Sequence, residues 1–330
     1  MLDRTLLRRV VTVSVVLGGF AALTVLAPLV AAAAVGTDLV RWLRNRTPWM
    51  ATRLAVFLWI YLAGEVWAVA ALGAVGLLGR RRSREATYRL QELWTAWNLR
   101  AVTAVFGLSF DIDDEVGPGP GPILVLSRHA SLIDTLLPAR CVATPRSLRL
   151  RYVLKRELLV DPALDIAGNR LPNCFVRRAG GGPDDQTAIR RLADGLGATE
   201  GVLIYPEGTR FSAEKREAAI GRLSGRGGKE TAARLRHVLP PRPGGTLALL
   251  EAAPRADVVV LAHRGLEGFA RVRDMWGGEL VGSTVRVRLW RIPRSEVPPE
   301  RLARVEWLWG VWSWIDDWVE SEDRLTMGRG

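Results

Sequence analysis

A chain of 330 residues has room for one large catalytic domain with membrane-associated helices, or for two modest domains. A formal net charge of +12, from 46 basic against 34 acidic residues, calls for an anionic membrane surface or a nucleic acid as neighbour. Two cysteines, Cys141 and Cys174, form no disulfide framework, and three histidines without metal-ligand spacing speak against a zinc site. Both thiols read as reduced residues of a cytosol-facing domain. Only Lys155, Lys215 and Lys229 are lysines; the arginine excess fits phosphate recognition, and a genome-wide codon bias produces the same pattern.

From the N-terminus, Val10 to Val35 carries no formal charge and is long enough to cross about 30 Å of hydrocarbon as a helix. Ala31 to Ala34 mimics a cleavage site, so a cleaved signal peptide is the competing reading. A second apolar run, Leu54 to Leu78, has the single charge Glu65 and ends in Arg80, Arg81, Arg82 and Arg84, a cytoplasmic-side signal. Residues 1–84 are thus expected to form a membrane-anchoring helical hairpin, with residues 85–330 as a catalytic domain facing the cytoplasm at the cell membrane. Arg41, Arg44 and Arg46 in the connection oppose translocation, and Glu65 at mid-membrane costs roughly 2.5–3.5 kcal/mol. A hairpin embedded in one leaflet relieves both problems. Glu65 is expected to serve as an interhelical hydrogen-bond partner.

Leu90, Leu93, Trp94, Trp97, Ala101 and Val105 then recur at helical spacing, as in an interfacial helix or an ordinary packed one. The G-P-G-P-G-P stretch from Gly117 to Pro122 is a turn segment. Beyond it, short apolar runs alternate with helical patterns, as in an α/β domain with a mixed sheet. Strands are expected at Ile123–Leu126, Tyr152–Leu154, Cys174–Val176, Val202–Tyr205, Val258–Ala262 and Val285–Trp290. Asp185 is expected to cap a helix bearing Ile189, Leu192 and Leu196. Trp307, Trp309, Trp312, Trp314 and Trp318 crowd one C-terminal helix, suited either to a membrane interface or to core packing.

Two motifs carry chemistry. S-R-H-A-S-L-I-D (Ser127 to Asp134) follows a predicted strand and offers His129 and Asp134 at H-x4-D spacing. A histidine is half-protonated near neutral pH, so it can take a proton from an attacking hydroxyl, while a carboxylate fixes its tautomer. Five residues along one helix separate side chains by about 140°, so His129 must lie in the turn after the strand and Asp134 on the helix that begins there. The second motif, Y-P-E-G-T-R-F (Tyr205 to Phe211), also follows a strand. Gly208 permits a tight turn with exposed amides, Thr209 donates a hydrogen bond, and Arg210 can pair with a phosphate. Glu207 suits pairing with an arginine or orienting the acceptor.

Together the two motifs resemble the glycerolipid acyltransferase family. The resemblance implies a mixed sheet flanked by helices and acyl transfer to lysophosphatidate or a related lysophospholipid. His129 and Asp134 correspond to its catalytic pair, and Arg178, Glu207, Gly208, Thr209 and Arg210 to its acceptor site. Phe175-Val176-Arg177-Arg178 stands where the family has Phe-Ile-Asp-Arg, so Arg177 replaces an acid. Arg128 replaces the usual Asn, and Ala262-His263 a usual Val-Pro. Y-P-E-G-T-R-F-S-A-E-K, R-H-V-L-P-P-R-P-G-G and V-R-V-R-L-W-R-I-P are similar to the lysophospholipid and lysocardiolipin acyltransferase branch, which brings Arg242 toward the site. His263 reads as structural and His237 as exposed.

The reaction so implied needs no metal and no cofactor, only acyl-CoA or acyl carrier protein as donor. Partners are then lysophospholipid, acyl thioester and membrane lipids, with no nucleic acid. Alternative acceptors are a lysocardiolipin, a glycolipid or an acylated amine. The rival class is a lipid-binding protein that keeps the fold without turnover.

Overall fold

A computed structural model describes residues 2–117, 119–177, 182–223, 226–269 and 274–327. The chain divides into two compact units: Met1–Ser109 with Leu154–Arg178 and Val272–Ser283, and Phe110–Val153 with Ala179–Arg271 and Thr284–Gly330. The expected boundary at residue 84 was drawn on hydropathy. The first unit runs further and recruits two later segments that contain no comparably long apolar run.

The first unit is mostly helical: α1 (Leu2–Val25), α2 (Ala27–Asn45), α3 (Met50–Gly76), α4 (Arg80–Phe106) and α5 (Pro162–Arg170). Two of its helices, Arg4–Val25 and Met50–Gly76, are long and apolar enough to cross a membrane. The apolar stretch from Val10 to Val35 is split between α1 and α2, because Pro28 at the start of α2 has no amide hydrogen to continue the ladder. Arg41 and Arg44 therefore lie on α2, and Arg46 forms its left-handed C-cap at φ 53°; they are not in a loop. Asp38 receives the first amides of α3, Ala51 N and Thr52 N, at 2.9 and 2.8 Å.

Glu65 is the interhelical partner expected, accepting from Trp94 Nε1 of α4 at 2.7 Å. Leu90 and Trp94 pack against Ala68, Leu72 and Ala163, while Leu93 and Trp97 are exposed. The segment that contains α5 is tied in by charge. Asp165 is fully buried and accepts Arg8 at 2.9 Å and Asn169 at 2.7 Å.

The strands are β1 (Ser109–Asp114), β2 (Ile123–Ser127), β3 (Arg149–Lys155), β4 (Cys174–Val176), β5 (Glu200–Ile204), β6 (Asp257–Arg264) and β7 (Thr284–Ile292), in sheet order β1-β7-β6-β2-β5-β3-β4. β2 is buried throughout and pairs in parallel with both β5 and β6; β5 pairs in parallel with β3, and β7 runs antiparallel to β6. The sheet is therefore mixed. β2, β5 and β6 read as continuous apolar runs because parallel central strands are covered on both faces. β1, S-F-D-I-D-D, was not expected: a mostly exposed strand carries no apolar run for the pattern to reveal.

The second unit's helices are α6 (Pro183–Leu192), α7 (Ala213–Arg222), α8 (Arg226–Arg234), α9 (Pro243–Ala252) and α10 (Arg301–Met327). Gly182, not Asp185, is the N-cap of α6. Asp184 and Asp185 fill its first turn, where a negative charge meets the positive end of the helix dipole. The helix stops at Leu192, so Ile189 and Leu192 are buried and Leu196 lies beyond it. On α10, Trp312 and Trp318 are buried and Trp314 is exposed. Packing thus claims part of the tryptophan row.

Candidate functional site

The site is assembled at the carboxyl ends of three adjacent strands. Register pairs Leu126 of β2 with Ile204 of β5 and Ser127 of β2 with Leu261 of β6. Chain leaving β2 therefore enters the H-x4-D turn beside chain leaving β5 into the E-G-T-R turn. Crevices at the carboxyl ends of parallel strands are where α/β folds hold their ligands, because the loops diverge there and leave groups unburied.

His129 occupies the turn after β2, and Asp134 opens the helical run that follows as a short 3-10 turn, Asp134–Leu136. That is the layout demanded by spacing. Asp134 is fully buried, and its Oδ2 accepts the backbone amides of Ala130 and Ser131 at 2.6 and 2.7 Å. Its Oδ1 lies 3.0 Å from His129 Nδ1. Burial alone raises the pKa of Asp134, but the imidazole of His129 and the hydrogen bonds from His129 and His263 reverse the sign and hold it below the ordinary carboxylate range. An ionised carboxylate only accepts, so His129 carries its hydrogen on Nδ1 and leaves the Nε2 lone pair free. The side chain of His129 keeps 12% exposure, enough for a reactant to reach it. Its ring lies 4.5 Å from that of Tyr205.

The second turn is locked to the first in both directions. His129 N donates to Glu207 Oε1 at 2.8 Å, and Phe211 N donates to His129 O at 2.7 Å. Glu207 Oε2 accepts Leu239 N at 2.9 Å. At 1% exposure, with both oxygens taken by amides, Glu207 is a bracket between three segments and has no face turned to an acceptor. Burial pushes its pKa up to about 8, against the opposing pull of those two amides and the Arg128 charge.

Gly208 takes φ +68°, the left-handed conformation that side chains strain to reach. A Cβ there would meet the Arg242 side chain at 3.2 Å. Arg242 N donates to Pro206 O at 2.8 Å, so the turn and Arg242 do come together. Thr209 and Arg210 are half-buried. Arg210 carries a buried guanidinium nitrogen without a protein partner, and its carbonyl accepts Lys215 Nζ at 2.9 Å. A shielded guanidinium nitrogen left open is suited to an anion, since leaving a charged donor unpaired is costly. Arg177 is exposed at the end of β4, in the first unit, and Arg178 lies outside the described residues.

Three groups with no assigned role in the motif reading support the site from beneath. Arg128, only 1% exposed, donates to Glu267 at 2.7 Å, His263 O at 2.5 Å and His237 O at 2.9 Å. Asp316 of α10 accepts the amides of Arg236, His237 and Val238 at 2.9, 2.6 and 3.1 Å, fixing the segment that delivers Leu239 N to Glu207. His237 is half-buried rather than exposed, with Nδ1 3.6 Å from Asp323. His263 is fully buried and borders Asp134, with Nε2 3.3 Å from Oδ2. Its place at the end of the V-V-V-L-A-H run was the available signal. No spacing rule joins it to residues 134 or 316.

Residues 111–262 match the Acyltransferase family, a span that holds both motifs and ends immediately before His263. The fold is similar to that of the 1-acyl-sn-glycerophosphate (LPA) acyltransferase PlsC from Thermotoga maritima, with a TM-score of 0.54 at 18% identity. That likeness covers 82% of this chain and 96% of the other. Comparison with curated proteins gives no match.

Proposed function

From residues 111–262, which match the Acyltransferase family, we propose that the chain is a glycerolipid acyltransferase that moves a fatty acyl group from a thioester to the free hydroxyl of a lysophospholipid at a membrane. The observation that carries this is the locked pair of turns: a histidine oriented by a buried carboxylate, tied by two hydrogen bonds to a turn whose arginine has a buried Nη1 without a protein partner.

His129 Nε2 takes the proton of the acceptor hydroxyl as its oxygen attacks the thioester carbonyl. Asp134 holds the ring and stabilises the imidazolium. The tetrahedral intermediate collapses by breaking the carbon–sulfur bond, and the imidazolium returns its proton to the departing thiolate. Oxygen gains the acyl group, sulfur gains the proton, and no enzyme-bound acyl group is needed. The amides of the Gly208 turn, Thr209 and Arg210 hold the acceptor's phosphate, with Arg242 packed against the turn. Glu207 serves by bracing the two turns rather than by touching the acceptor.

The donor is acyl-CoA or acyl carrier protein. The leading acceptor is lysophosphatidate, the substrate class that the similar Thermotoga maritima protein's name carries. Two helices long and apolar enough to cross a membrane, Arg4–Val25 and Met50–Gly76, support a reading at the cell membrane, and Arg80, Arg81, Arg82 and Arg84 support a catalytic domain that faces the cytoplasm.

The test is acyl transfer by the detergent-purified chain across lysophosphatidate, lysophosphatidylglycerol and lysocardiolipin, with both donors and His129→Ala as control. Transfer to lysophosphatidate that vanishes in the variant is expected. Transfer only to another lysolipid replaces the acceptor and keeps the chemistry. A folded protein inactive on every acceptor would leave a lipid binder.

A further inference from the structure

We propose that His263 is a positioning residue of this site: as the Nε2–H tautomer it holds Oδ2 of Asp134, so that the carboxylate presents Oδ1 as the nearer oxygen to His129 Nδ1, at 3.0 Å against 3.2 Å for Oδ2. The inference rests on the reading of His129 as base. His263 and Asp134 are both fully buried, and His263 Nε2 is 3.3 Å from Asp134 Oδ2 and 3.3 Å from the Arg128 carbonyl. Both neighbours are acceptors, so Nε2 must carry the hydrogen. His263 Nδ1 is buried without a partner, so a second hydrogen there would be an unpaired donor in the core.

The charged groups that surround it are named by the same geometry. Asp134 lies on one side. The Arg128 guanidinium donates to the His263 carbonyl at 2.5 Å and pairs with Glu267 at 2.7 Å, and His129 lies across Asp134. Arg128 and His263 are also two positions at which the sequence departs from the family pattern, and they bond to each other in both directions.

The consequence concerns how strongly Asp134 pulls on His129. With Ala130 N, Ser131 N and His263 Nε2 all at Oδ2, the carboxylate's charge is drawn toward that oxygen and away from Oδ1, the nearer of the two to His129 Nδ1 at 3.0 against 3.2 Å. A carboxylate so engaged orients the imidazole without over-stabilising the imidazolium, whose proton must leave for the thiolate. Removing the third donor makes Asp134 a stronger partner for the charged ring. The acid limb of the rate–pH profile then moves to higher pH.

Two measurements decide the matter. In His263→Leu, kcat is expected to fall by about tenfold, as for partners that orient a reacting group's ligand. Acceptor KM should hold, the acid limb should move upward, and His263→Gln, whose amide presents a donor at the Nε2 position, should restore both. A structural role alone would lower melting temperature and active fraction without moving the limb, and that result in a folded Leu variant overturns the proposal.

The second measurement needs no core replacement. With three histidines in the chain, 15N-histidine labelling resolves each ring, assigned through His129→Gln and His237→Gln. His263 is expected as the Nε2–H tautomer, and an Nδ1–H tautomer refutes the assignment even if the Leu variant fails to fold. Full activity in His129→Ala would instead sink the base assignment while leaving the tautomer result intact, so the two failures are distinguishable.

Discussion

The H-x4-D turn and the E-G-T-R turn each bury one carboxylate, and the two are driven in opposite directions. Asp134 is fully buried yet held well below the ordinary carboxylate range, because burial is outweighed by the imidazole of His129 and the hydrogen bonds from two histidines. Glu207 is as deeply buried but has only backbone amides for close partners, and burial wins, lifting it to about 8. Depth is therefore a poor guide to charge. What decides is whether a cation or cation-forming ring sits against the carboxylate. The first turn keeps its acid charged against an imidazole; the second uses its acid as a hydrogen-bonding brace.

The largest effect expected is the loss of His129. His129→Ala should lower kcat by roughly 10²–10⁴-fold, the range of general acid–base catalysis, with the melting temperature close to that of the parent. Asp134→Asn should come next, with a loss on the order of 10²-fold or more. An amide lacks the charge to stabilise the imidazolium, and its NH₂ faces either the amides of Ala130 and Ser131 or His129 Nδ1. Steady-state kinetics on lysophosphatidate checks both, and an active Asp134→Asn enzyme would break the contrast between the turns.

Arg210→Ala belongs to the other side of the comparison. Acceptor KM should rise by about tenfold with kcat little changed, since an interaction equal in ground and transition states moves KM alone. An unchanged KM removes the phosphate role of the guanidinium.

Thermal melting against pH tests the two acids directly. Asp134, with its pKa lowered on folding, adds stability that is present above its ordinary value of 3.8 and lost as pH falls toward the lowered one. Glu207, raised from 4.5 to about 8, works the other way: the native state loses stability as pH climbs through that window. Glu207→Gln should therefore flatten the decline between about pH 4.5 and 8, at the cost of one poorly met amide at His129 or Leu239. A decline as steep in the variant as in the parent would mean that Glu207 is ionised throughout.

The smallest effect expected is on turnover in Asp316→Ala. Three amides lose their acceptor, so stability should fall by about 1–3 kcal/mol by chemical denaturation. Specific activity of the folded fraction should change little, because Asp316 supports the bracket at one remove.

Local chemistry made much of this legible before any fold was known. Apolar runs with flanking turns gave β2, β5, β6 and β7, and helical periodicity with tryptophans gave α10, because burial on a repeating face leaves a period in the sequence. The H-x4-D spacing even fixed that His129 must stand in the turn and Asp134 on the helical start, since one helix could not bring them together. Other features carry no such local record. The edge strand β1 has almost no buried face, and the α6 start fell to Gly182 rather than Asp185 because a cap is a matter of backbone geometry. Tertiary structure alone decided that Glu207 braces two turns, that Arg128 lies buried under the site, and that His263 meets Asp134. Each depends on the register of β2 between β5 and β6, which juxtaposes residues 129, 207 and 263 through hydrogen bonds between strands far apart in the chain.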